Sequence, residues 1–598
     1  MSAVANAADR EPRGATLKEE PRLPIRLWLA AVTFGALGLR VWNLAAGLPD
    51  LPQADEPTLL GLAVRFGTGD LNLHYFQYPT LWPYTLFCIF GTYFVTGWGV
   101  GLLGSIQDVK AQYFIDPTPL WFLGRLSAAL LGTATVPIVY SLGKRLVSRR
   151  VGLFAAAGLT VAPLHVQYSH YLVTDVPLTF VIVFALLLIL RLSEGDFLRL
   201  WPVALVCGLA TSVKYSAAPL MFPLVAAGLA RVTGSVSIRR VFGVATIAGI
   251  WMTFGFLIGT PYAISETQFL FADVAKVLSR AFLGFDFGVN TVGHFLVKVL
   301  HEGAGALPAI LSMIGFLWMT IEGILRRRVA WLLIACFIIP YFGIIGSSRT
   351  PFARYMLPLL PVAMIYAGFV WERVTRLIPQ PEWQVALRLG LVVLILSVSL
   401  GVSVAWVSAL AKPDTRRFAT EWLKQNAPAG SVIVTERYGV PLQATVKQLE
   451  VQIEMLRRIA NRHSEAARQI SRWIEKRDAL ARVHPQGPSF VVYTLEIGEP
   501  TAVEVEKVPY RLAALRGKAV KYVVLSSYIY EALQHFPSRF PQHMQFYGEL
   551  NATARLVFEI SPLSPLCRAH PDILWNMETL DRTCVRYSGP AVKIFEIT

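Results

Sequence analysis

The chain has 598 residues, 54% of them hydrophobic and only 16% charged. Soluble domains average about 25% charged residues, so this composition excludes an ordinary soluble globular protein and points to a polytopic membrane protein. The formal charge is +16, but Arg and Lys fall in short clusters between apolar runs, as the positive-inside rule expects, and no nucleic-acid partner is implied.

In chain order, residues 1–25 are mostly polar and read as a disordered cytoplasmic tail without a cleaved signal. Apolar runs then predict about eleven spans, at 26–46, 121–142, 151–168, 177–192, 200–214, 216–231, 241–262, 304–324, 329–346, 355–371 and 386–409. With the N-terminus inside, the clusters Lys144/Arg145/Arg149/Arg150, Arg191/Arg199, Arg231/Arg239/Arg240, Arg326/Arg327/Arg328 and Arg373/Arg376 all fall in the cytoplasm. The segment 81–104 is apolar enough to span, but a span there would invert every later cluster. It is therefore expected to be a re-entrant or surface-lying helix within a first external loop at 47–120. The run 200–231 is too long for one helix and is expected to be two short ones meeting near Lys214.

Beyond residue 410 the composition turns mixed. Strand-like runs at Ser431–Thr435, Phe490–Leu495, Val520–Ser526, Leu556–Ile560 and Val592–Ile597 alternate with helical patterns at Arg416–Gln425 and, as one long helix, Ala444–Val483. Residues 411–598 are thus expected to form a small extracytoplasmic α/β domain, after a membrane domain at 26–410. Of the five cysteines, Cys88, Cys207 and Cys336 lie in apolar stretches. Cys567 and Cys584 lie in the C-terminal region and are candidates for a disulfide in an oxidising compartment, or for two unrelated thiols.

On the predicted external side, acids and cations gather. Asp55-Glu56 begins the first loop, Tyr78-Pro79-Thr80 opens the 81–104 segment, and Arg125 stands at the outer end of the second span. His170 and Asp175 lie in the third-to-fourth connection, Lys214 at the fifth-to-sixth turn, and Arg354-Tyr355 before the tenth span. Cations suit a phosphate leaving group, since the Arg fork grips two oxygens. A carboxylate suits the proton of an attacking hydroxyl. Singly, each residue has a plainer reading. Asp55 precedes Glu56-Pro57 and could cap a helix. Asp175 could do the same before Val176-Pro177, Arg125 and Arg354 could be interfacial cations, and His170 could be a satisfied interfacial histidine. His294 and His301 are read as structural, because no carboxylate stands at metal-ligand spacing. The weight lies in their coincidence on one face.

The ordered motifs "GRLSAALLGTATVPIVYSLGKRL", "APLHVQYSHYLVTDVPLTF", "GLATSVKYSAAPL" and "RTPFARYMLPLLP", after an early Asp-Glu, resemble the GT-C glycosyltransferases over roughly residues 26–410. The protein O-mannosyltransferase and lipid A aminoarabinose transferase branch is the most similar. "DTRRFATEWLKQNAPAGSVIV" resembles, more loosely, the soluble tail of bacterial members. The resemblance implies inverting transfer of a sugar from a polyprenyl-phosphate donor to a hydroxyl acceptor outside a bacterial inner membrane. It places Asp55 as base, Glu56 as companion acid, Arg125 at the donor phosphate, Asp175 as the acid of the second external motif and Lys214 in a "TK" element. The chain departs from the mannosyltransferases at Tyr78-Pro79-Thr80, where they carry His-Pro-Pro, and at Ser169-His170-Tyr171, where they carry Ser-Arg-Tyr. A eukaryote-like protein substrate is therefore in doubt.

The expectation is a membrane glycosyltransferase with Asp55 and Glu56 catalytic and Arg125, Lys214 and Arg354 on the donor phosphate. Tyr78, His170, Asp175 and Tyr355 would line the substrate. No metal is obligatory, although Asp55, Glu56 and Asp175 could furnish oxygen ligands to a divalent ion. The acceptor class is left open among lipid, glycan and protein. The rival expectations are a transporter or flippase for lipid-linked glycans, which predicts repeats or mid-span charges, and a non-catalytic scaffold for the external domain.

Overall fold

The computed structural model describes residues 22–50, 53, 55–232, 237–282, 290–377, 381–461, 464–482, 488–497, 504–564 and 585–597. Seven of its helices are long and apolar enough to cross a membrane: Thr118–Leu146, Asp175–Glu194, Ile238–Gly259, Ala306–Leu325, Val329–Gly346, Ala353–Thr375 and Ala386–Leu410. Two shorter apolar helical segments, Phe197–Val213 and Tyr215–Leu229, stand between them. The helix Arg22–Val41 and the broken pair Arg149–Val161 and Pro163–Tyr168 occupy the remaining expected segments.

The packing follows the apolar distribution. The helix Leu360–Thr375 is buried on nearly all sides and forms the centre. The helix Ile238–Gly259 turns Phe242, Ile250, Phe254 and Ile258 outward, each at least half exposed. A face that apolar would not persist in water; it fits hydrocarbon.

Two local features matter for the site. Pro163 interrupts the helix that begins at Arg149, because its ring cannot follow the helical ladder. At Lys214 the backbone leaves the helix Leu200–Val213 in extended conformation (φ −159°) before the turn Tyr215–Leu220. Two short helices thus meet at Lys214, as their combined length implied. The segment after Thr80 forms one helix, Leu81–Gly99, packed against Glu56–Arg65, Thr118–Leu146 and Leu200–Val213. The loop before it is tied to an amphipathic helix, Thr267–Phe282: the Phe76 amide donates to Asp273 at 2.8 Å and Arg280 donates to Gln77 at 2.6 Å.

The C-terminal region contains a six-stranded sheet: β1 Val432–Thr435, β2 Val491–Glu496, β3 Lys507–Pro509, β4 Val520–Ser526, β5 Arg555–Ile560 and β6 Val592–Glu596. Their order is β3-β2-β1-β4-β6-β5, parallel from β3 to β4 and antiparallel at β6 and β5. Val432 pairs with Val491, and Val523 with Phe595. Apolar clusters cover both faces, around Leu515, Val523 and Phe546 on one and Leu423, Ile433 and Val524 on the other, as a largely parallel sheet requires.

Two expectations are corrected. β3 was missed because three residues carry too little alternation to register as a strand. The long helix expected over 444–483 is two helices, Val446–Ile459 and Ser464–Ala481, folded against one another. Its apolar stripe lapses between Ile459 and Ile470, and both halves instead close on a shared cluster containing Leu456, Ala466, Ile470 and Trp473. Cys567 and Cys584 lie outside the described residues.

Glu436, just after β1, is fully buried and accepts bonds from the Ser526 amide (2.7 Å) and the Tyr547 and Tyr510 hydroxyls (2.6 and 3.2 Å). Burial outweighs these bonds and pushes its carboxyl from 4.5 up to about 8. Its stabilising contribution is therefore complete below about 4.5 and is lost as pH rises through about 8. In scanning fluorimetry of the full chain, Glu436→Gln should flatten this dependence. The gap between variant and wild type should open above about pH 4.5 and stop growing above about pH 8; parallel curves would contradict the assignment.

Candidate functional site

Glu56 opens the helix Glu56–Arg65, with Pro57 in its first turn. Its carboxylate is completely buried and accepts from Arg125 Nε and Nη2, both at 2.8 Å, a bidentate pair. The Gln53 amide donates to Oε2 at 2.6 Å and the Leu172 amide to Oε1 at 2.8 Å. Arg125, 4% exposed, also donates from Nη1 to the carbonyls of Leu44 (3.0 Å) and Ala46 (2.8 Å). Gly124 makes this possible: a Cβ there would stand 2.6 Å from Leu172, holding off the turn that delivers its amide. Arg125 thus has a different partner from the phosphate expected of it, and Glu56 has no open edge toward a substrate.

Asp55 is placed differently. It is the residue before the same helix, yet its side chain caps no backbone amide. Its own amide is held by the Gln53 side chain at 2.8 Å. The carboxylate is 28% exposed and lies 3.3 Å from Arg354 Nη2. A second pair stands nearby: Lys214 Nζ is 2.7 Å from Asp175 Oδ1, with Asp175 at the N-terminal end of the helix Asp175–Glu194. The two cations flank one ring. Lys214 Nζ is 5.5 Å and the Arg354 guanidinium 6.0 Å from the centre of Tyr355. Phe352 lies under Arg354 at 4.1 Å. The Tyr341 hydroxyl donates to the Tyr355 carbonyl at 2.9 Å and fixes that turn. Tyr78 is within electrostatic reach of Asp55, Arg354 and Asp175. These contacts gather Asp55, Tyr78, Asp175, Lys214, Arg354 and Tyr355 into one cluster, contributed by segments far apart in sequence.

His170 is elsewhere. It is buried, with Nδ1 2.8 Å from the Val166 carbonyl, Nε2 3.0 Å from the Trp42 carbonyl and the Trp406 ring edge-on at 5.2 Å. It fastens the connection after Pro163–Tyr168 to the end of the first helix, apart from the cluster it was expected to join. Tyr438, in the loop after β1, was not anticipated. It lies within electrostatic reach of Asp55 and Arg354, at φ +64°, with its carbonyl accepting from the Ser526 hydroxyl at 3.2 Å. Only a long-range fold brings it there, so no local pattern marks it. Arg417, which donates to the Leu48 carbonyl at 3.3 Å, seats the C-terminal domain on the same loop.

As arranged, the carboxylates do not fit a divalent ion. Glu56, Asp55 and Asp175 each face a cation, and among the described residues no three His, Cys, Asp or Glu side chains converge on a metal position.

The buried and the partly exposed pairs should respond differently to substitution. Arg125→Met leaves Glu56 charged and unpaired and should cost about 3–5 kcal/mol in denaturant titration of the purified protein. Arg354→Gln, at a partly solvated pair, should cost about 1 kcal/mol or less. Equal losses would contradict the distinction.

Residues 121–258 match the family model described as dolichyl-phosphate-mannose-protein mannosyltransferase. No curated protein matches the chain. Among solved structures, an oligosaccharyltransferase from Archaeoglobus fulgidus, in complex with Zn and sulfate, aligns at 12% identity and TM-score 0.48, over 95% of this chain and 88% of that one. ArnT from Cupriavidus metallidurans, bound to undecaprenyl phosphate, aligns at 15% identity and TM-score 0.45, over 86% of this chain and 94% of that one. The Pmt1-Pmt2 protein O-mannosyltransferase complex of S. cerevisiae aligns at 19% identity and TM-score 0.32, over 42% and 35%. The chain is an integral membrane protein, and its residues 121–258 resemble the dolichyl-phosphate-mannose-protein mannosyltransferase family.

Proposed function

We propose that this protein transfers a sugar from a polyprenyl-phosphate donor to a hydroxyl acceptor at the extracytoplasmic face of a bacterial inner membrane. The observation that carries the reading is one cluster in which Asp55, a carboxylate that caps no helix, pairs with Arg354 while a second cation, Lys214, stands on the same Tyr355 ring. The mannosyltransferase match over 121–258 supports the class of donor, and it contains Arg125, Asp175 and Lys214.

In this reading Asp55 accepts the proton of the acceptor hydroxyl as that oxygen forms a bond to the anomeric carbon. The bond from that carbon to the phosphate oxygen breaks in the same displacement, with inversion. The electron pair leaves on the polyprenyl phosphate, whose charge Arg354 and Lys214 receive; the guanidinium fork can keep one edge on Asp55 and turn the other to phosphate. Asp175 orients Lys214. Glu56 and Arg125 act by position: their locked pair fixes the residue beside Asp55. Tyr78 and Tyr355 supply the apolar walls and ring faces against which a sugar rests. No step requires a metal. The functional division follows the sequence, with a cytoplasmic tail at 1–25, a catalytic membrane part at 26–410 and a soluble part at 411–598 that closes over the cluster through Tyr438.

Asp55→Asn should lower transfer by about 10²–10⁴-fold while polyprenyl phosphate still binds the protein in nanodiscs. Arg354→Gln and Lys214→Met should instead weaken that binding, roughly tenfold or more. Mass analysis of extracytoplasmic glycans and lipids with and without the protein should reveal one missing sugar. Unimpaired transfer by Asp55→Asn would remove the base assignment, and an unchanged glycan and lipid profile would remove the activity.

A further inference from the structure

The helices that build the cluster also meet at their other ends. The helix Thr118–Leu146 carries Arg125 near its start and Arg145 in its last turn; Asp175–Glu194 carries Asp175 at its start and Arg191 in its last turn. The helix Leu200–Val213 runs the other way, from Arg199 to Lys214. At about 1.5 Å per residue, Arg145 stands ~30 Å from Arg125 along its helix, and Arg191 ~24 Å from Asp175. The far ends are therefore a membrane thickness from the cluster.

There Arg145, Arg191, Glu194, Gly195 and Arg199 line an open crevice of about 370 Å³. Its lining contains no apolar side chain. Glu194 is paired with Arg145, and Asp196, the next acid of the turn, is not part of the lining. Arg231 reaches the same turn and donates to the Ser193 carbonyl at 3.0 Å. Three guanidinium groups and one carboxylate thus line the crevice, with a fourth guanidinium on the adjoining turn. Gly195 keeps the crevice open, because a Cβ there would stand 2.9 Å from the Arg191 carbonyl and 3.1 Å from Arg199 Nη1. The arginines are exposed, and the concavity they line carries an excess of positive charge.

We propose that this crevice is a phosphate-binding site, filled by the headgroup of an anionic lipid or by free phosphate, on the membrane face opposite the cluster. Planar guanidinium forks suit phosphate oxygens, and basic pockets between membrane helices bind anionic headgroups. The inference does not depend on the transfer reaction proposed above.

The test uses the full-length protein in nanodiscs, followed by native mass spectrometry. Phosphatidylglycerol should be retained in preference to phosphatidylcholine, and the double variant Arg191→Gln/Arg199→Gln should lower its affinity roughly 30-fold. Gly195→Ala, which removes no charge, should also reduce retention by crowding Arg199, so a folding defect in the double variant leaves the test intact. In a second arm, inorganic phosphate is titrated into detergent-solubilised protein. Saturable phosphate binding lost in both variants, with no lipid preference, would support the site and assign it to free phosphate. Absence of both lipid preference and saturable phosphate binding, or equal retention by wild type and both variants, would overturn it.

Discussion

The site depends on the clamp between Glu56 and Arg125. Removing a carboxylate and a guanidinium from water costs several kcal/mol each, and their attraction offsets this only when the geometry is close to ideal and the remaining polar atoms are satisfied. Both conditions hold. The pair is bidentate, two backbone amides complete the carboxylate, and two carbonyls take the outer guanidinium nitrogen. The same bonds bring together the end of the first helix, the first loop, the helix Thr118–Leu146 and the turn at Leu172. Asp55 is the neighbour of the clamped residue, so its backbone is fixed while its side chain stays partly exposed. One acid of the Asp-Glu doublet supplies rigidity, and this leaves the other available for chemistry.

Ion pairing is graded across the assembly. The deepest pair is saturated by backbone groups, the Asp175–Lys214 pair is buried on the acid's side, and the Asp55–Arg354 pair is the most open. Solvent access thus increases toward the residues that would touch a substrate. Burial gives precision where nothing needs to move, and exposure leaves the outer pair the freer of the two to exchange partners. The C-terminal domain meets this outer edge through Tyr438 and Arg417.

Much of the membrane architecture was legible because it is written in local hydrophobicity. The break at Lys214 could be read from the length of its apolar run and the lysine inside it. Five strands of the C-terminal sheet could be read from their β-branched runs. Partner choice was less accessible. Asp55 and Glu56 are adjacent and chemically alike, and only packing against Leu172 and Arg125 decides which is buried. Arg125 carries the same sequence signal whether it meets a phosphate or a glutamate. His170 looks the same in a motif whether it faces the cluster or two carbonyls. The helical break after Ile459 was legible in principle, since the apolar stripe lapses there, but charge-rich residues filled the gap with helix-compatible composition.

The spacing of the paired charges along the chain also sets an order of assembly. Glu56 meets its arginine 69 residues later and Asp175 its lysine 39 residues later, whereas Asp55 must wait for a residue roughly 300 positions downstream. At about 5–20 residues per second of synthesis, the inner clamp forms within seconds and the outer pair only after some fifteen seconds to a minute. A nascent chain would therefore carry Asp55 on a scaffold that is already rigid but still lacks its counter-ion, and the cluster would be complete only with one of the last helices to enter the bilayer.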